Sequence, residues 1–91
     1  MPPATTGASG LAGRYATALF ELAESRKMLD EVADDLAHLR AMMEESADLR
    51  RLISSPVISR EDQAGAMTAL ADAAGMSGLT RNFFGLVAIN R

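Results

Sequence analysis

The stretch LDEVADDLAHLRAMMEE, residues 29–45, decides the fold class. Leu29, Val32, Leu36, Leu39 and Met43 recur at three- and four-residue steps, the repeat that gathers side chains onto one face of an α-helix. Asp30, Glu31, Asp34, Asp35, Arg40 and Glu44 turn outward. Acidic residues crowd the first turns, where the positive end of the helix dipole favours them. The segment reads as a long amphipathic helix.

Downstream, Ser46 or Asp48 is placed to cap a short third helix whose inward residues are Leu49, Leu52 and Ile53. Ser54, Ser55 and Pro56 then break the chain, because proline biases the residue before it away from helical geometry. Ser59-Arg60-Glu61-Asp62 resembles a capping box with the shorter Asp at its third position, and it opens a fourth helix. That helix presents Met67, Leu70, Ala71 and Ala74, and Gly75 is positioned to end it in a left-handed conformation. Gly65 lies inside it and costs about 1 kcal/mol relative to Ala if solvent-exposed, unless a neighbouring helix needs close approach there.

Two segments are too apolar for a single contact face. From Leu11 to about Ser25, a polar stripe of Arg14, Thr17, Glu21 and Glu24 faces an arc of Ala12, Tyr15, Ala16, Ala18, Leu19, Phe20, Leu22 and Ala23. A helix that covers only its own core needs an arc of about 100°, so this one is expected to make contact on two sides. After Ser77 and Gly78, residues 79–91 carry Leu79, Phe83, Leu86 and Asn90 on one stripe, and Phe84, Val87 and Arg91 on another, with Ile89 between. The helical pattern is still running at Arg91, without a capping Gly or Pro, as in a fragment of a longer chain.

Composition agrees with this reading. Ninety-one residues suit one domain with one core, and a chain of this size buries only about two thirds of its unfolded surface. Hydrophobic residues make up 48% of the chain, yet only one Tyr, three Phe and no Trp contribute, so Ala and Leu dominate and favour close-packed helices over a sheet. The fold class expected is all-α, a compact bundle of five to six short helices. There is no cysteine, which excludes disulfides, thiol nucleophiles and thiolate metal sites. A net charge of −3 with interspersed signs offers no basic footprint, so nucleic acid is not an expected partner. Residues 1–10, MPPATTGASG, carry no basic residue and no apolar stretch; they read as a disordered lead-in, neither secretory signal nor transit peptide. No apolar run approaches the roughly 20 residues needed to span a bilayer, so direct membrane insertion is not expected.

Catalytic chemistry finds little to work with. His38, the single histidine, follows Asp34 and Asp35 by one helical turn, a minimal metal-ligand cluster in geometry, but a closed zinc site takes four ligands. A solvated face with an ion pair is the plainer reading, and no metal is expected. Asp30, Glu31, Asp34, Asp35, Glu44 and Glu45 are spaced outward, whereas general acid and base work needs positioned groups in a cleft. No Gly-x-Ser-x-Gly elbow, Walker-type loop or dinucleotide fingerprint occurs, so neither a catalytic residue nor a cofactor site is assigned. Met43 and Met67 fit core stripes, and Met1 and Met76 are uninformative. Arg50 and Arg51 most simply favour the C-terminal dipole end of the third helix.

Three blocks of sequence carry a family resemblance: GRYATALFELA at 13–23, ADLRRLISSPVIS at 47–59 and NFFGLVAINR at 82–91. Together, in this order and spacing, the chain from Leu11 to Arg91 resembles the delta subunit of F-type ATP synthases, called the oligomycin sensitivity conferring protein in mitochondria. The resemblance implies a bundle of about six helices that grips the N-terminal helical segments of the alpha subunits on top of the catalytic head. In that family the first and fifth helices line the docking groove, which implies Tyr15, Ala18 and Leu22 from the first and Leu79, Phe83 and Leu86 from the fifth as partner-binding residues. Ala18 would permit close backbone approach, and Tyr15 offers apolar area with a polar tip.

The expected function is that of a non-catalytic stator subunit, helping link the head to the peripheral stalk during proton-driven ATP synthesis. Contacts with the stalk b subunits belong to the family's C-terminal domain, which residues 11–91 do not include, and loss of the last helix of the bundle is expected to leave part of the core uncovered. The implied location is the cytoplasmic face of the bacterial inner membrane, or the matrix side in an organelle, within the complex. The alternative is a self-associating helical adaptor unrelated to ATP synthase, with the same apolar faces in a homodimer.

Overall fold

The computed structural model describes the backbone of residues 7–90 and the side chains of residues 13–90. Five helices follow one another: α1 (Gly7–Ser25), α2 (Leu29–Glu45), α3 (Ala47–Ser54), α4 (Arg60–Ala73) and α5 (Gly78–Ile89). No strand occurs among the described residues, so the class is all-α as expected. Helix α1 starts at Gly7, inside the stretch read as a lead-in; residues 1–6 lie outside the described residues.

Three serines begin three helices. Ser46 Oγ accepts from the Leu49 N–H at 3.1 Å, Ser59 Oγ from Asp62 at 3.0 Å and Ser77 Oγ from Thr80 at 3.2 Å, each satisfying a donor that the first turn leaves over. Ser46, and not Asp48, is therefore the cap of α3.

Two helices end in the same backbone motif. At the end of α1, Lys27 has φ 59°, its N–H donates to the Glu24 carbonyl at 3.1 Å, and the Met28 N–H donates to Ala23 at 2.7 Å. At the end of α4, Gly75 has φ 73°, its N–H donates to Asp72 at 3.2 Å, and the Met76 N–H donates to Ala71 at 2.9 Å. This is the Schellman pattern, in which the residue after the left-handed one folds back onto the helix it has just left. Met28 accordingly packs against the cluster that includes Ala23, and Met76 is buried with Ala71. Met76 is thus a core residue, contrary to its neutral reading in sequence. The same fold-back moves Met28 inward and leaves Leu29, expected on the core face, substantially exposed.

The core has two lobes. Leu19, Ala23, Val32 and Leu79 form one, between α1, α2 and α5. Met67, Ala71, Met76 and Phe84 form the other, with Leu39, Leu49, Leu52 and Ile53 packed against it from α2 and α3. Leu36 and Phe83 touch both lobes. Helix α5 packs against α1, α2 and α4, and α4 is its closest neighbour. At that contact a Cβ on Gly85 would stand 3.2 Å from Thr68 Cγ2, so the close approach falls on Gly85. Gly65 has open space around it.

Polar groups tie the helices at specific points. Gln63, only 4% exposed, donates from Nε2 to the carbonyls of Leu52 (2.9 Å) and Ile53 (2.8 Å), fastening α4 to the end of α3. Arg50 donates from Nη1 to the carbonyls of Met43 and of Glu44, the latter at 3.3 Å. Its cation therefore serves the C-terminal end of α2, while Arg51 pairs with Asp48 within α3. Arg51 lies in the last turn of α3 as expected, but its side chain pairs with Asp48 of the first turn, and Arg50 reaches α2 instead. No buried side-chain polar atom among the described residues lacks a partner.

Candidate functional site

Leu19 and Ala23 turn α1 toward the core, and this leaves Tyr15, Ala18 and Leu22 beside them on the rim of a shallow groove. The facing wall is α5. Its Thr80, Phe84 and Ala88 are buried, so Leu79, Phe83 and Leu86 fall on the side that looks back at α1. All six residues expected to bind a partner line this one groove, of about 170 Å³. Leu79 is buried and forms floor, Tyr15 and Phe83 are half-buried, and Ala18, Leu22 and Leu86 are exposed.

Two residues of the groove escaped the sequence reading of the site. Leu19, 5% exposed, completes the floor, and Asn82 supplies an amide on the α5 wall. Asn82 carried a legible signal, since it lies three residues after Leu79 and four before Leu86. The wide apolar arc of α5 needs a different explanation from that of α1. Most of it is core, because α5 is central; only the Leu79, Phe83 and Leu86 edge reaches the groove.

A second apolar groove, of about 260 Å³, opens between α2, α3, α4 and α5 over Leu39, Met43, Ile53, Met67, Phe84 and Val87. Its floor is Met67 and Phe84 of the core, each only 6% exposed. Gln63 also borders it, with its amide donors committed to the α3 carbonyls.

The carboxylates read as outward divide into two kinds. Asp30, Glu31, Asp34, Glu44 and Glu45 are exposed. Asp35 is half-buried and accepts from the Ser77 N–H at 2.9 Å and from Thr80 Oγ1 at 2.7 Å, both through Oδ2. Burial by itself raises its pKa, but the hydrogen bonds from Ser77 and Thr80, with the charge of His38 nearby, outweigh that and hold the carboxyl below its ordinary value. The expected solvated face thus loses Asp35 to a structural role. Among the described residues no three His, Cys, Asp or Glu side chains come together as metal ligands would. Nor is any helix there long and apolar enough to cross a membrane.

Fold and site together define a class: a small all-helical domain that carries an apolar groove between two helices, the shape that receives an amphipathic helix. The family model for the ATP synthase delta (OSCP) subunit matches residues 11–91, and the chain belongs to that family. It is 62% identical over 86 residues to the ATP synthase subunit delta of Rhodospirillum centenum, covering 94% of this chain and 46% of the relative. Against that of Rhodospirillum rubrum it is 60% identical over 82 residues, 90% of this chain and 44% of the relative. With that of Paramagnetospirillum magneticum it shares 59% over 91 residues, all of this chain and 48% of the relative. The chain spans about half the length of these curated relatives. No solved structure matches it. Family membership removes the alternative of an adaptor unrelated to ATP synthase.

Proposed function

We propose that this chain is a non-catalytic docking part of the ATP synthase stator, and that the groove between α1 and α5 receives the N-terminal helical segments of the alpha subunits of the catalytic head. Held there, the head is tied to the peripheral stalk and does not turn with the rotor during proton-driven synthesis. Contact with the stalk b subunits falls to parts of the family's subunit beyond residues 11–91. The complex places the chain peripherally, on the cytoplasmic face of the bacterial inner membrane.

One observation carries the reading. The six residues to which the family resemblance points, spread over two helices some sixty residues apart in the chain, line a single apolar groove. The groove also has binding energy left to give. Leu22 and Leu86 are 41% and 47% exposed, so each retains roughly half of the about 1.5–3 kcal/mol that full burial of a leucine supplies. Ala18, exposed on the rim, leaves room for a partner backbone.

Ala18→Trp tests this by filling the groove. Titrated with a synthetic peptide of the alpha-subunit N-terminus from the same organism, the variant is expected to bind at least tenfold more weakly than the wild type, with its circular dichroism unchanged. Equal affinity removes Ala18 from the contact.

A further inference from the structure

We infer that Asp35 is a positioning residue for the α1–α5 groove: by holding the first turn of α5 from α2, its carboxylate sets the direction in which Leu79, Phe83 and Leu86 face. The inference rests on the docking reading above and adds to it a residue that touches neither the groove nor any partner in it.

The observations lie at the start of α5. Leu79, the deepest α5 residue of the groove, sits between the two residues that Asp35 grips, Ser77 through its backbone N–H and Thr80 through its hydroxyl. Ser77 Oγ meanwhile accepts from the Thr80 N–H and lies 3.1 Å from Thr80 Oγ1, so Asp35, Ser77 and Thr80 form one closed network. Thr80 is fully buried and cannot exchange its bond to the carboxylate for one to bulk water. Asp35 is itself fixed, three residues after the fully buried Val32 and one before Leu36, which touches both lobes of the core.

Helix geometry turns this attachment into a direction. At about 100° per residue, Leu79, Phe83 and Leu86 stand about 60–120° around the axis from Thr80, all on the same side. Phe84 and Ala88 stand about 40–80° on the other side, in the core. Pinning Thr80 toward α2 therefore aims the groove stripe at α1. Elsewhere the restraints on α5 are apolar packing and the exposed Asp72–Arg81 ion pair, and neither is as strict about rotation.

The test compares full chains carrying Asp35→Ala, Asp35→Asn, Thr80→Val and Asp72→Ala. Each is titrated with the alpha-subunit N-terminal peptide at a temperature where circular dichroism shows it folded. Asp35→Ala is expected to weaken binding about tenfold and Thr80→Val about threefold, with the double variant no worse than Asp35→Ala alone. Asp35→Asn keeps an oxygen for both donors and restores binding to within about twofold, and Asp72→Ala leaves it unchanged.

Wild-type affinity in a folded Asp35→Ala overturns the inference while leaving docking intact; if Asp35→Ala does not fold, wild-type affinity in Thr80→Val overturns it. A wild type that does not bind the peptide defeats the docking reading instead. The inference is then decided by nuclear Overhauser contacts between Leu19 and Leu79: their loss in Thr80→Val supports it, and their persistence overturns it.

Discussion

Lys27 and Gly75 hold the same place in two copies of one turn, and only one of them is suited to it. A left-handed backbone costs an L-residue with a Cβ about 1–2 kcal/mol and costs glycine almost nothing. Lys27→Gly is therefore expected to stabilise the chain by about 1 kcal/mol, and Gly75→Ala to destabilise it by a similar amount, both measured by urea unfolding. A destabilising Lys27→Gly together with a stabilising Gly75→Ala would contradict the turn geometry. Asp35 gives a pH-dependent counterpart. Its folded carboxyl is held below the ordinary value of 3.8, so the native state binds this proton less readily than the unfolded chain does. The contribution is full above that value and is lost as pH falls through the lower folded one. Asp35→Asn, which cannot titrate, is expected to differ most from wild type at neutral pH, with the difference in urea midpoint shrinking below about pH 4. A difference constant from pH 6 to pH 2.5 would deny the carboxylate this role.

Among the elements, α3 and α4 are joined by apolar packing and by the amide of Gln63. With Gln63→Leu the volume is kept but the carbonyls of Leu52 and Ile53 lose their donor, an expected cost of about 1–3 kcal/mol, with faster amide exchange at the end of α3. Stability unchanged to within experimental error would mean that water replaces the amide. Glycines within α4 and α5 make a second comparison. Gly65→Ala, in open space, is expected to stabilise by about 1 kcal/mol, and Gly85→Ala to gain less, because its Cβ meets Thr68. Equal gains in urea unfolding would show that α4 and α5 are not this close.

All five helices were legible in the sequence because what makes them is local: apolar steps of three and four, serine caps and a glycine stop. Asp35, Gln63 and Arg50 were not legible in the same way. Spacing shows which face a polar side chain is on, but not which carbonyl or hydroxyl, ten or forty residues away, completes it. Met28 and Met76 were missed for a related reason, since each lies just outside its helix and is drawn inward by the turn. Of the groove, the six positions came from the family resemblance and from the excess of apolar surface on α1 and α5. The sequence could not divide that excess on α5 between core and groove, because the division follows from α5 being central.

At the scale of the whole molecule, the two lobes of the core share the central α5, which gives Leu79 to one and Phe84 to the other, and an apolar groove lies over each lobe. The grooves differ in what they offer a partner. The α1–α5 groove joins half-exposed leucines to a tyrosine and an asparagine, a mixed apolar and polar lining suited to an amphipathic helix. The α2–α5 groove is floored by the buried Met67 and Phe84 and edged by the half-buried Met43, with the one buried amide at its edge already committed. A docking helix is therefore expected in the first and not in the second. Amide shift mapping on the isotopically labelled chain, titrated with the alpha-subunit N-terminal peptide, separates them directly. The expected result is saturable shifts concentrated at residues 15–22 and 79–86, with Leu39, Met43 and Met67 little changed. Shifts absent from both α1 and α5, or confined to the α2–α5 groove, would contradict docking between the first and fifth helices.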